Sequence, residues 1–357
     1  MFRIIVMFSL TMVLSAVITP FIRRLAIKMG AVDKPNARRI NKAPIPSMGG
    51  LGLFITFTFS TFVLLRAQFP TMMLYSIFLG ECIIIITGIL DDILELKPKQ
   101  KMFGIFLAAL VIYFVAGIRM TSISIPFIGY FQLGFWSLPI TIIWILAITN
   151  AVNLIDGLDG LATGVSIIAL FTMGVIAWFF LTVTEVDIPI MIFALVATLI
   201  GFLPHNFHPA SIFLGDTGSL FIGFMIAVFS LEGLKNVTFI SVVIPVIILG
   251  VPITDTVFAI FRRLLNHKPI SQADRHHLHH RLLAMGLNQR QAVLTIYGIA
   301  LVFALIAMLF PLSTRWGSIL LVIAVLFGLE IFIEEIGLVG SHWQPLLKLI
   351  RQLVKHR

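Results

Sequence analysis

The run Asn150-Ala-Val-Asn-Leu-Ile-Asp-Gly-Leu-Asp-Gly160 is polar and glycine-rich, yet one apolar segment (Phe135 to Val152) leads directly into it and another (Leu161 to Val183) leaves it. A connection this short between two membrane-length runs lies at a bilayer edge, because unpaired backbone and ionised carboxylates are costly in hydrocarbon. Asp156 and Asp159 are thereby held beside lipid headgroups. If the loop begins to coil as it enters the next helix, three-residue spacing puts Asn153, Asp156 and Asp159 on one face. That face is a candidate site for a cation or a phosphate-bearing ligand.

The rest of the chain is equally apolar: 59% of its 357 residues are hydrophobic, 11% are charged, and the mean hydropathy is +1.07. These values exclude a soluble globule. Runs near twenty residues recur, each long enough as a helix to cross about 30 Å of hydrocarbon. Eleven are counted, which predicts an all-α polytopic membrane protein. Span one runs from Ile4 to Phe21 and ends without a small-residue cleavage pattern, so it reads as a retained span rather than a leader. Later spans include Met72 to Leu90, Ile188 to Leu203, a long ninth from Val237 to Ile260, Ala292 to Phe310 and Gly317 to Ile333. Between spans four and five, Ile118 to Gly134 alternates apolar and polar residues, which predicts a short outer β-hairpin. The lone Cys82 excludes an intramolecular disulfide and a Cys-based metal site.

A net charge of +9 could suggest nucleic-acid binding, but the distribution of Lys and Arg argues for membrane topology instead. Alternate loops hold 20 of the 25, in Arg23 to Lys42, Lys97 to Lys101, Arg262 to Arg290 and the tail after His342. The positive-inside rule then sets the N-terminus outside and the C-terminus in the cytoplasm. Residues 1–341 read as one transmembrane domain. Residues 342–357 read as a basic amphipathic tail lying on the anionic inner leaflet.

The same alternate loops carry acids that topology does not explain, since Asp and Glu contribute little to it. Asp91 and Asp92 end span three, where adjacent carboxylates next to low dielectric need a cation or donor to offset them. Asp216, in Gly215-Asp-Thr-Gly-Ser219, opens span eight; alone it reads as a helix N-cap, with its neighbours as a third carboxylate site. Lys97, Lys99 and Lys101 read as ordinary inside-positive anchors, with a phosphate contact from Lys101, at the start of span four, as the alternative. Asp255, seven residues before Arg262, reads as half of a structural ion pair. Glu185 and Asp187 read as solvated. The Pro44-Ile-Pro-Ser-Met-Gly-Gly50 loop reads as a small-residue helix contact.

Five of nine histidines fall between His267 and His280. His277, His279 and His280 are too crowded to share one zinc ion, and no cysteine assists. Imidazoles beside Arg275 and Arg281 suit a phosphate or sugar phosphate, a solvated basic loop being the alternative. Carboxylates with Lys, Arg and His nearby are what a magnesium-dependent phosphoryl-transfer site needs.

Ile89-Leu-Asp91-Asp92, Asn153-Leu-Ile-Asp156-Gly-Leu-Asp159-Gly, Phe213-Leu-Gly-Asp216-Thr-Gly-Ser and His277-Leu-His-His280 occur in an order that resembles the polyprenyl-phosphate N-acetylhexosamine-1-phosphate transferases. The His-x-His-His form and Asn206-Phe-His-Pro-Ala look most like the bacterial undecaprenyl-phosphate N-acetylglucosamine branch, in which teichoic acid or O-antigen synthesis begins. The resemblance implies UDP-N-acetylglucosamine and undecaprenyl phosphate as substrates, Mg²⁺ as cofactor with Mn²⁺ as an alternative, and a cytoplasmic site in the bacterial plasma membrane. It also implies metal ligation by Asp216 and Asp92, catalytic functions for Asp91, Asp92, Asp156, Asp159 and His279, and substrate contacts from Asn153, Asn206, Arg275, His277 and His280; a substrate contact from Lys101 is expected from its position alone. Asp91 is the family's proposed base. A phosphate monoester is already largely dianionic at pH 7, so positioning is the expected role of Asp91 and Asp92. A secondary transporter with ion-coupling acids is the rival from another class, but such proteins carry their charges near the midplane. A lipid receptor is a weaker third reading, and a homodimer is left open.

Overall fold

A computed structural model describes residues 2–33, 44–125, 129–179, 186–233, 240–265, 277–336 and 348. The chain is helical almost throughout: α1 (Phe2–Met29), α2 (Gly49–Phe59, continued by a π turn Ser60–Leu64), α3 (Thr71–Leu94), α4 (Pro98–Phe114), α5 (Ser137–Ile155), α6 (Leu161–Phe179), α7 (Asp187–Asn206), α8 (Gly215–Gly233), α9 (Ile240–Ile248), α10 (Gly250–Leu265), α11 (Leu278–Ala284), α12 (Gln289–Leu309) and α13 (Arg315–Ile336). Among the described residues, eight helices are long and apolar enough to cross a membrane: α1, α3, α5, α6, α7, α8, α12 and α13. The other three expected crossings correspond to the short α2, the 17-residue α4 and the α9–α10 pair. The ninth apolar run is therefore divided at Leu249, although Leu249 N still donates to Pro245 O and Ile253 N to Leu249 O. Pro252 has no N–H for the Ile248 carbonyl, so the ladder is interrupted where α9 gives way to α10.

The expected hairpin forms between β3 (Ser122–Ile125) and β4 (Gly129–Gln132), antiparallel with Ser122 opposite Gln132. A second, unexpected pair joins β1 (Val32–Asp33) to β2 (Ile45–Pro46). Beyond β2 the chain runs alongside the segment before α8. Phe213 N donates to Pro46 O at 2.8 Å, Gly49 N to Phe213 O at 2.9 Å and Gly50 N to Leu214 O at 3.0 Å.

Helix α8 is the axis of the bundle, packed by α2, α3, α5, α6 and α7. It can be enclosed because its neighbours present bare backbone where it passes. A Cβ on Gly50 would strike the Gly218 backbone, and one on Gly88 would strike Thr217. The glycine contact expected of the Pro44 to Gly50 loop is thus a helix–helix approach of the kind membranes favour. The polarity of α1 is inverted in the same spirit. Ile5, Val13, Val17 and Phe21 face outward, while Thr11, Ser15, Thr19 and Ala26 are buried. Inside lipid there is no hydrophobic reward for sequestering apolar side chains, so small hydroxyls make the contacts: Ser15 Oγ donates to Thr198 O at 2.7 Å and Thr11 meets Ser60 at 2.7 Å. Asp187, expected in solvent, is instead buried at the start of α7, where its Oδ1 accepts from Ile188 N.

Candidate active site at one end of the bundle

The ends of α3, α4, α5 and α8 meet at one end of the bundle and bring the separate acidic motifs together. Asp92, in the last turn of α3, spends both oxygens on the start of α8. Oδ1 accepts from Asp216 N at 2.8 Å and Ser47 Oγ at 3.1 Å; Oδ2 accepts from Thr217 N at 3.0 Å and Thr217 Oγ1 at 2.5 Å. It thus satisfies N–H groups that a helix start leaves without partners. Its neighbour Asp91 is 6% exposed and turns the other way, accepting from Leu96 N at 2.8 Å and facing Lys101 Nζ at 2.5 Å.

Lys101 lies between two carboxylates, since its Nζ is also 2.6 Å from Asp216 Oδ1. Asn153 Nδ2 donates to that same oxygen at 2.5 Å and to Ser219 Oγ at 2.7 Å. Asp216 Oδ1 is therefore held by two donors, and among the described residues no hydrogen bond is made to Oδ2. Asp156 stands half-buried next to this group, beyond the last residue of α5. Burial, then the charges of Asp216, Asp92 and Asp159, push its carboxyl well above the usual range.

The expected common face of Asn153, Asp156 and Asp159 does not form. Helix α5 ends at Ile155, Gly157 N turns back onto Ile155 O at 2.8 Å, and α6 starts only at Leu161. Asn153 and Asp156 still reach the Asp216 group, but Asp159 is directed to the loop before α8. Its Oδ2 accepts from Ala210 N at 3.1 Å and meets His208 Nδ1 at 2.8 Å. Asn206 is 2% exposed and its amide is taken by Thr163 and by the Ile212 carbonyl, so it braces that loop from within.

The histidine segment closes over the same loop. The His277 and His279 rings are parallel, 5.9 Å apart, and His279 and His280 are 4.2 Å apart. His279 lies on Gly157, where a Cβ would collide with the imidazole. Its Nδ1 is buried with no hydrogen-bond partner, and burial with the adjoining His280 pushes the imidazole down to about 3. Asp255, expected to pair with Arg262, is bound to the histidine segment: Oδ2 meets His277 Nδ1 at 2.8 Å and Oδ1 accepts from Leu278 N at 2.9 Å. No local spacing signals a pairing across 22 residues. Nor did the sequence single out Ser47, Thr217 or His208. Arg275, His276 and His267 lie outside the described residues, as does the 342–357 tail apart from Lys348.

Among the described residues, no three His, Cys, Asp or Glu side chains stand together as a ready-made metal cluster. The donor set nevertheless suits a hard cation. Mg²⁺ is ordinarily held by one or two carboxylates with waters and substrate phosphates, and the neighbouring Asp216 and Asp156 carboxyls supply that number.

Residues 74–234, which hold all of this acidic group, match the sequence profile of glycosyl transferase family 4. Over 99% of its length the chain is 44% identical to 98% of the probable undecaprenyl-phosphate N-acetylglucosaminyl 1-phosphate transferase of Bacillus subtilis (strain 168). The chain belongs to glycosyl transferase family 4. More distant members of family 4 include the decaprenyl-phosphate N-acetylglucosaminephosphotransferase of Mycolicibacterium smegmatis, 31% identical over 83% of this chain and 86% of that protein. The phospho-N-acetylmuramoyl-pentapeptide-transferase of Halalkalibacterium halodurans is 29% identical over 85% of this chain and 95% of that protein. The profile ends before α10 and the histidines, but the Bacillus match extends across them. This family 4 chain is thus an enzyme with several membrane-spanning helices.

Proposed function

We propose that the protein transfers N-acetylglucosamine 1-phosphate from UDP-N-acetylglucosamine to undecaprenyl phosphate, giving undecaprenyl-diphospho-N-acetylglucosamine and UMP. The observation that carries this reading is the convergence of Asp91, Asp92, Lys101, Asn153, Asp156 and Asp216 at one end of the bundle, in a chain whose relatives are named for this chemistry. An oxygen of the lipid phosphate attacks the β-phosphorus; the new O–P bond forms as the bridging bond to the α-phosphate breaks, and the pair of electrons leaves on UMP. The attacking phosphate is largely dianionic at neutral pH because its second pKa is about 6, so no base need remove a proton. Asp91 acts by holding the Lys101 ammonium, which neutralises charge on the diphosphate.

Asp216 Oδ2 and Asp156 would hold Mg²⁺, which supplies charge neutralisation on the phosphate oxygens when bound. Asp92 fixes Asp216 by capping α8, and Asn153 restrains the other oxygen of Asp216. The Asp156–Asp159 loop lines the nucleotide side, and the stacked histidines close over the sugar and diphosphate, excluding water. The basic loops support a cytoplasmic setting for this end of the bundle, where nucleotide sugars are available.

Exchange of labelled UMP into UDP-N-acetylglucosamine tests the reading. It is expected with purified protein only when undecaprenyl phosphate and Mg²⁺ are both present. Absence of exchange with active lipid overturns it, and preference for UDP-N-acetylmuramoyl-pentapeptide would move the protein to the other enzyme branch.

A further inference from the structure

We infer that Asp255 is a positioning residue for this transfer, acting through His277. The inference rests on the transferase reading above and assigns a function to a carboxylate that the proposed chemistry does not otherwise use. Asp255 is 2% exposed, and an ionisable group at that depth is costly unless its oxygens are occupied. Both are occupied by one short segment, His277 Nδ1 at 2.8 Å and Leu278 N at 2.9 Å. A carboxylate facing Nδ1 requires a proton on that nitrogen. The tautomer is thereby fixed, and Nε2 is the nitrogen left for a substrate group.

The arrangement continues toward the reacting centre. His277 lies parallel to His279 at 5.9 Å, and His279 rests on the bare Cα of Gly157, the residue after Asp156. Rotation of the His277 ring would therefore disturb the imidazole that covers the Asp156 loop. The interruption of the helix ladder at Pro252 starts α10 as a separate segment, and this segment carries Asp255 to the histidines. Arg262, seven residues further along α10, is buried as well, so the carboxylate sits on the helix face that packs inward.

A simple cap for α11 predicts the same hydrogen bond to Leu278 but no dependence on His277, and a double-mutant cycle separates the two. Asp255→Asn retains an acceptor for Leu278 N while disrupting the fixed tautomer. It is expected to lower kcat roughly 10- to 100-fold, with KM for UDP-N-acetylglucosamine changed by less than about threefold. In a His277→Ala background the same substitution is expected to cost less than about threefold further. Equal losses in both backgrounds overturn the inference, as does unchanged kcat in Asp255→Asn. Where Asp255→Asn does not give a monodisperse folded protein, Asp255→Glu is taken through the same cycle, and a loss independent of His277 again overturns it. The two readings fail differently. An inactive wild-type protein removes the transferase reading, whereas an active one with additive losses removes only the function assigned to Asp255.

Discussion

Asp92 Oδ2 accepts both the backbone N–H and the hydroxyl of Thr217, at 3.0 and 2.5 Å. The end of one helix thus fixes the beginning of another, and Asp216 is aimed at the site from that joint. Asp92→Asn turns an amide group toward donors and is expected to destabilise by about 1–3 kcal/mol. Thr217→Val removes one of these bonds and costs about 1 kcal/mol. Thermal unfolding in detergent should rank wild type, Thr217→Val and Asp92→Asn in that order, with activity falling in parallel. An Asp92→Asn protein as stable as wild type would refute the capping function.

Lys101 holds Asp91 and Asp216 to one ammonium, at 2.5 and 2.6 Å. On the proposed function Lys101→Gln takes a cation from the diphosphate, so kcat is expected to fall roughly 100-fold. The two carboxylates then attract added cation more strongly, and the Mg²⁺ concentration giving half-maximal rate should decrease. Titrating Mg²⁺ against initial rate reads both effects. A higher metal requirement would show that Lys101 supports the metal rather than competing with it.

Asp156 has a carboxyl raised above its ordinary value by burial and by Asp216, Asp92 and Asp159. The folded protein therefore keeps this proton through a pH range in which the unfolded chain, with a carboxyl near the ordinary value of about 4, has lost it. Stability from this group is full below the unfolded value and is lost as pH rises through the raised folded value. With metal chelated, Asp156→Asn should flatten the decline of the melting temperature between the two and exceed wild type above it. On the proposed assignment of Asp156 as a Mg²⁺ ligand, the cation would displace the same proton, so cation binding should strengthen with pH in wild type and lose that dependence in Asp156→Asn. Parallel melting curves for the two proteins across pH 4 to 8 would contradict this account.

Gly88 meets the Thr217 backbone with no room for a methyl group, whereas Gly298, in α12, has open space around its Cα. Gly88→Ala is expected to cost about 1–3 kcal/mol through forced separation of α3 and α8. Gly298→Ala should be neutral or stabilising, up to about 1 kcal/mol from helix propensity. Comparing the two melting temperatures distinguishes loss of a close helix approach from a general intolerance of alanine.

Much of the helical layout was legible because apolar runs must be helical to satisfy their backbone in lipid, and Met72 to Leu90 or Ala292 to Phe310 have no alternative. The ninth run reads as one span, and the structure divides it into α9 and α10 at Leu249. Pro252 stands within it, but hydropathy alone does not register a missing N–H. The loop after α5 was expected to coil onward, and Gly157 turned it instead, so Asp159 binds His208 and Ala210 in the loop before α8. Asp159 then pairs with His208 and Asp255 with His277, across 49 and 22 residues respectively. Such partners leave no trace in local periodicity.

From the order of its residues alone, this protein was determined to be a bundle of membrane helices with acids gathered in alternate loops, since burial of backbone and charge in hydrocarbon leaves few choices. Which acid does what was decided only by tertiary structure. Asp91 and Asp92 are neighbours with the same side chain, yet one grips Lys101 and the other caps α8, because adjacent positions on a helix point about 100° apart.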